Sequence, residues 1–178
     1  MANSEISLDP VDHITVDAIG VPGNRVFYIE GRKGDQTACL IIEKIQLQSL
    51  ITGIDEFLAQ VKSKFPDQDN PEVEFREEDM RIDPPVDPRF RVGDMGLAYD
   101  ADRDLACIIA REIVLAEGQE EGNVVRYWCT RAQLLVLARW GGAVAERGRP
   151  ICPQCLQPME PEGHFCPKKN GHKKAKLD

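Results

Sequence analysis

Histidine is scarce: three residues in 178, and His13 alone lies outside the C-terminal tail. A lone histidine in a strand-like segment gives general acid–base catalysis little to work with. No Gly-rich phosphate loop is present; Gly93-Asp-Met-Gly96 is too short and runs along a strand-like segment. Arg111 and Glu112 are neighbours in a strand and point to opposite faces, so they form no pair. No apolar run approaches the ~20 residues a membrane span needs. The segment Met1–Pro10 is polar and acidic, without the apolar core of an export signal. A soluble, cytoplasmic protein without a membrane partner is the expectation.

Positive charge is in deficit, and unevenly so. Residues 1–149 carry 17 Lys and Arg against 27 Asp and Glu, whereas residues 150–178 carry 5 against 3, so the body stands at −10 and the tail at +2 of the −8 total. An acidic body repels phosphate backbones. Nucleic acid, if bound, would be met by Lys168, Lys169, Lys173, Lys174 and Lys176 of the tail. The bland reading of those lysines is a solvated, frayed end, and Phe165 alone offers little base stacking. The acidic run Glu77-Glu78-Asp79 reads as a solvated loop before a cation site.

What is present is patterned. His13–Gly20 alternates, with Ile14, Val16 and Ala18 on one face, as in a half-buried strand. Val21-Pro-Gly-Asn24 suits a type II turn. Strands follow at 25–30 and 37–43, separated by a polar turn at 31–35. Leu47, Leu50, Ile51, Ile54, Phe57, Leu58 and Val61 then recur at helical spacing, predicting an amphipathic helix over 47–65. A proline- and carboxylate-rich connection fills 66–89, with a short edge strand expected at Val73–Phe75.

The plan repeats with strands at 90–99, 105–116 and 124–129, turns at 100–104 and 117–123, and a helix to about Arg147. That helix opens on a Thr130–Gln133 capping box. It is apolar nearly all round, which predicts burial, and Gly141-Gly142 would let it pass close to a neighbour. The segments 27–43 and 97–112 share an apolar strand, a charged turn and then Ala-Cys-Leu-Ile-Ile or Ala-Cys-Ile-Ile, which suggests an internal duplication. The fold class is α+β: two strand-strand-strand-helix halves in a domain over 1–149, with a small zinc-ribbon-like module over 150–178.

The six cysteines divide in two. Cys39, Cys107 and Cys129 sit singly in apolar segments, as buried free thiols do. Cys152-Pro-Gln-Cys155 holds two thiolates on one side of a tight loop, and Cys166 supplies a third. The fourth ligand is His164, as His-x-Cys, or His172, as Cys-x5-His; spacing leaves the two nearly even. A redox-active Cys152–Cys155 disulfide is the competing reading, but such pairs usually open a helix after a strand, and this one lies among prolines with a third Cys and two His nearby. Zn2+ is preferred over iron because a histidine replaces the fourth thiolate. A full set of four ligands makes the ion structural.

Gly20-Val-Pro-Gly23-Asn-Arg25-Val-Phe27-Tyr, Leu40-Ile-Ile-Glu43-Lys44, Phe90-Arg-Val-Gly93-Asp-Met-Gly96-Leu, Cys152-Pro-x-Cys155, and Gly163-His164-x-Cys166 with Asn170-Gly171 together resemble the bacterial domain-of-unknown-function 3090 family. The resemblance covers nearly the whole chain and assigns no activity. It implies occurrence beside a lipid-kinase-like and a histidine-phosphatase-like protein, and it favours His164 as the fourth ligand. The leading expectation is a non-enzymatic zinc-containing adaptor whose body binds a protein partner. The alternatives are a nucleic-acid-binding protein using the basic tail, and an enzyme or small-molecule binder with a pocket between the two halves.

Overall fold

The computed structural model describes residues 4–67, 71–114, 122–148, 151–159 and 164–170. The described strands are β1 (Glu5–Leu8), β2 (His13–Val21), β3 (Asn24–Lys33), β4 (Gln36–Ile42), β5 (Val92–Asp100), β6 (Leu105–Glu112) and β7 (Val124–Thr130). The helices are α1 (Lys44–Lys64), α2 (Arg131–Glu146) and a short α3 (Pro167–Asn170). The fold is mixed α+β, with two sheets. One is the antiparallel meander β2-β3-β4; the other has the order β1-β7-β6-β5, antiparallel except that β1 runs parallel to β7.

Local chemistry explains most of the elements. Val21 pairs with Asn24 across Pro22-Gly23, and Gly23 takes φ +93, the conformation a type II turn requires at its third position. The next turn is tighter than expected. β3 continues to Lys33 and only Gly34-Asp35 turns, with Gly34 at φ +52. Gly31 therefore lies inside a strand, opposite Ala38. A Cβ there would come within 2.4 Å of the Tyr127 ring on β7. Tyr127 is fully buried, and its hydroxyl donates to the Ala38 carbonyl at 3.1 Å. This is where the two sheets press together.

The order strand, strand, strand, helix occurs twice, as β2-β3-β4-α1 and β5-β6-β7-α2. The likeness between 27–43 and 97–112, however, matches β3–β4 to β5–β6, one strand out of step with that order. It is a likeness between hairpins, and the duplication rests on element order alone. The helices interlock the halves: α1 packs on β5 and α2 on β2, and the two helices pack on each other. Gly141 makes this crossing close, since a Cβ there would meet Leu47, Ile51 and Val16 at 3.1–3.3 Å. One core results, with Leu8, Val16, Ile29, Leu40, Ile108, Tyr127, Leu137 and Trp140 among its members.

Several expectations are corrected. β1 was not anticipated within the polar N-terminal segment. Its four residues bury Leu8 and are held by β7, a partner more than a hundred residues away. Val73–Phe75 forms no strand; that stretch lies over α2, with the Phe75 ring edge-on to Trp140 at 6.3 Å. A 3-10 turn (Glu77–Met80) follows and is pinned to β2, because the Thr15 hydroxyl donates to the Met80 carbonyl and the Ile82 N–H to Asp17. That contact covers the second face of β2 and accounts for buried Thr15 on an otherwise alternating strand. β6 ends at Glu112, earlier than expected, and the turn expected at 117–123 lies largely outside the described residues.

Candidate metal centre

The tail is organised by a tight turn. The Leu156 N–H donates to the Cys152 carbonyl and the Cys152 N–H to the Gln157 carbonyl, both at 2.9 Å. Ile151 bridges Pro158 in antiparallel fashion. This closes the Cys152-Pro-Gln-Cys155 loop and puts both sulfurs on one side. His164 and Cys166 arrive from the following described segment, just before α3. The ligand atoms of Cys152, Cys155, His164 and Cys166 all lie within 4.8 Å of one another. Cys155 Sγ is 3.1 Å from His164 Nε2, and Cys152 Sγ is 3.8 Å from Cys166 Sγ.

Those separations bear on what the cluster could hold. Metal–sulfur bonds of about 2.3 Å at tetrahedral angles place two sulfurs about 3.8 Å apart. The Cys152–Cys166 pair matches that edge, and the sulfur–nitrogen pair is somewhat tighter. All six cysteines are free thiols. Backbone N–H groups of Cys155, first, and of Gln154 stabilise the Cys152 thiolate and bring its pKa down to about 7. Cys155 moves the other way: the Gln157 N–H lowers it, but burial and the neighbouring sulfurs outweigh that and raise it. Crowded thiols thus resist ionising together until a cation shares their charge. The four residues fit a metal ion.

Of the five candidate ligands, four converge; His172 lies outside the described residues. Of the five tail lysines, Lys168 is described and exposed, Lys169 lies in α3, and Lys173, Lys174 and Lys176 fall outside the described residues. Ile151, Leu156 and Phe165, beside the cluster, are exposed at 54%, 72% and 74%. In the body, Cys39, Cys107 and Cys129 are buried as expected, and burial pushes their thiols up to about 12, 11 and 12. His13 is a strand residue opposite Arg32; burial first, and Arg32 second, hold its pKa low. Glu77 and Asp79 are engaged by Arg147 and Arg76.

A cavity of about 600 Å³ does lie between the halves, lined by Glu30, Thr37 and Cys39, by Asp87 to Phe90, and by Asn123 and Val124. Reading β3 as ending at Glu30 hid it. The available signal was Glu30-Gly-Arg32, two opposite charges on one strand face after an apolar run.

By class, the molecule is a mixed α+β protein with a three-cysteine, one-histidine cluster that could hold a metal ion. The chain belongs to the family described as "Protein of unknown function (DUF3090)", whose profile matches residues 6–166. The match takes in both sheets and both long helices and ends on Cys166. No curated protein and no solved structure matches the chain. No helix among the described residues is long and apolar enough to cross a membrane.

Proposed function

We propose that this is a zinc-containing interaction protein: Cys152, Cys155, His164 and Cys166 hold one structural Zn2+ in a module over 150–178, and the protein acts as a non-enzymatic adaptor for a protein partner. The observation that carries this reading is the convergence of the four ligand atoms within 4.8 Å. Three thiolates and one imidazole suit zinc by softness. Four protein ligands leave no open position for a substrate, so the ion stabilises the fold and performs no reaction. His164 is preferred to His172 because it sits against Cys155 and because the family match includes it. Ile151, Leu156 and Phe165 build no core of their own, so ligation supplies the folding energy of the module and leaves three apolar side chains for a partner.

The test is native mass spectrometry of protein purified from its host, with metal content measured on the same sample. One zinc per chain is expected, lost in Cys152→Ser, Cys166→Ser and His164→Ala and kept in His172→Ala, together with a retained partner that Phe165→Ser releases. Protein without metal, or with metal indifferent to the cysteines, overturns the reading. The cavity between the halves favours a second reading, that the body also binds a small molecule.

A further inference from the structure

The floor of that cavity is built around a buried carboxylate. Glu30 is 6% exposed, yet it lines the cavity wall. Arg32 engages it through Nε–H and Nη2–H at 2.8 and 2.7 Å, and both donors land on Oε1. Among the described residues no fully buried side-chain oxygen or nitrogen lacks a partner. Oε2 receives no hydrogen bond from nitrogen or hydroxyl among those residues, so it is the atom that opens into the cavity. The Cys39 thiol, a weak donor, also lies against the Glu30 carboxyl. A carboxylate this deep is costly to desolvate unless both oxygens are served, and Oε2 is left with no nitrogen or hydroxyl donor among the described residues.

Two carboxylates, Glu30 and Asp87, line that space. At the Cys39 thiol, Glu30 and then Asp87 oppose ionisation, and Arg32, the weakest contributor, does not cancel them. Arg89 also lines the cavity and keeps its positive charge; one of its donors, Nη2–H, is directed to the Thr37 carbonyl, and its backbone N–H donates to the Cys39 carbonyl. Burial and Glu30 push the Cys39 thiol up to about 12, so it is neutral at physiological pH and not a nucleophile. Val86 and Phe90 provide apolar wall beside the charged floor.

We propose that this cavity binds a small organic ligand bearing a primary ammonium group, which donates to Glu30 Oε2 and is held by the joint charge of Glu30 and Asp87 while its apolar part lies against Val86 and Phe90. The site is independent of the metal cluster and does not rest on the adaptor reading.

The probe is benzylammonium, with benzyl alcohol and benzoate as neutral and anionic counterparts, titrated into the full-length, metal-loaded chain and followed by backbone amide NMR. Saturable shifts confined to Glu30, Cys39, Val86 and their neighbours are expected for the ammonium alone. Glu30→Gln should weaken binding about tenfold or more, the loss of a charged hydrogen-bond partner. Asp87→Asn lies on the connection before β5, which carries no core strand or helix; it should leave the amide spectrum folded and weaken binding about threefold. The proposal is overturned if benzylammonium gives no saturable shift, if benzyl alcohol binds as well, or if Asp87→Asn and a folded Glu30→Gln both bind unchanged.

Discussion

Leu156 takes φ +60 and is 72% exposed. The left-handed region costs a side chain with a Cβ about 1–2 kcal/mol, and here the side chain recovers little of that by burial. The turn demands the conformation because the chain must swing back after Leu156 for the Gln157 carbonyl to receive the Cys152 N–H. Leu156→Gly is therefore expected to relieve about 1 kcal/mol of strain and tighten apparent metal affinity roughly fivefold, read by chelator competition at fixed pH. If Leu156 is also a partner contact, as the proposed function requires, the same variant loses partner binding while holding its metal better. The thiolates of this site were legible from the sequence because Cys-x2-Cys is a local geometry. Spacing left the histidine open, because its approach depends on the path after Cys155, and the family resemblance favoured His164, which the structure brings beside Cys155. The role of Glu30 was hidden for a related reason: the cavity it lines is completed by Val124 of β7 and the 85–90 connection, remote in sequence.

At the scale of elements, α2 shows how far local rules reach. Thr130 accepts from the Gln133 N–H at 3.1 Å, and Gln133 accepts in return from the Thr130 N–H at 2.9 Å, the reciprocal pair read from the sequence. Thr130→Ala removes one side of it and is expected to cost about 1 kcal/mol, seen as a lower urea midpoint with unchanged slope. Long periodic segments were equally legible, because α1 and the meanders carry their own hydrophobic pattern and turn residues. Failures fell where pairing decides. β1 has only Ile6 and Leu8 to alternate and exists through its parallel pairing with β7. Val73–Phe75 has strand-like composition but lies over a helix, where no ladder is on offer.

At the scale of the whole chain, two ion pairs tie remote pieces together and set a pH response. Arg103, in the β5–β6 turn, engages Asp9 beyond β1, and Arg131, at the start of α2, engages Asp104. Their guanidinium hydrogen bonds are the largest cause holding both carboxyls below the usual 3.8. A carboxyl depressed in the folded state contributes its stability in full above the unfolded pKa and loses it as pH falls through the folded value. The body is expected to keep its thermal midpoint down to about pH 4 and to lose stability below it. The loss should be smaller at high salt, because both pairs are partly exposed.

The proposed metal has a different reach. Among the described residues, every member of the main core falls between Leu8 and Ala145, and none belongs to the tail. A body of this length buries about two thirds of its unfolded surface without help from an ion, whereas Ile151, Leu156 and Phe165 of the tail are exposed, and in the proposed reading the ligand cluster holds the tail together. Chelation should therefore separate the two. Amide signals of residues 151–170 are expected to collapse toward unfolded positions when metal is removed, while those of β2 to α2 and the thermal midpoint of the body stay where they were. A body that melts with the tail would mean that the cluster supports the α+β core, and the adaptor reading, in which a metal-held module is attached to a self-sufficient body, would then have to be given up.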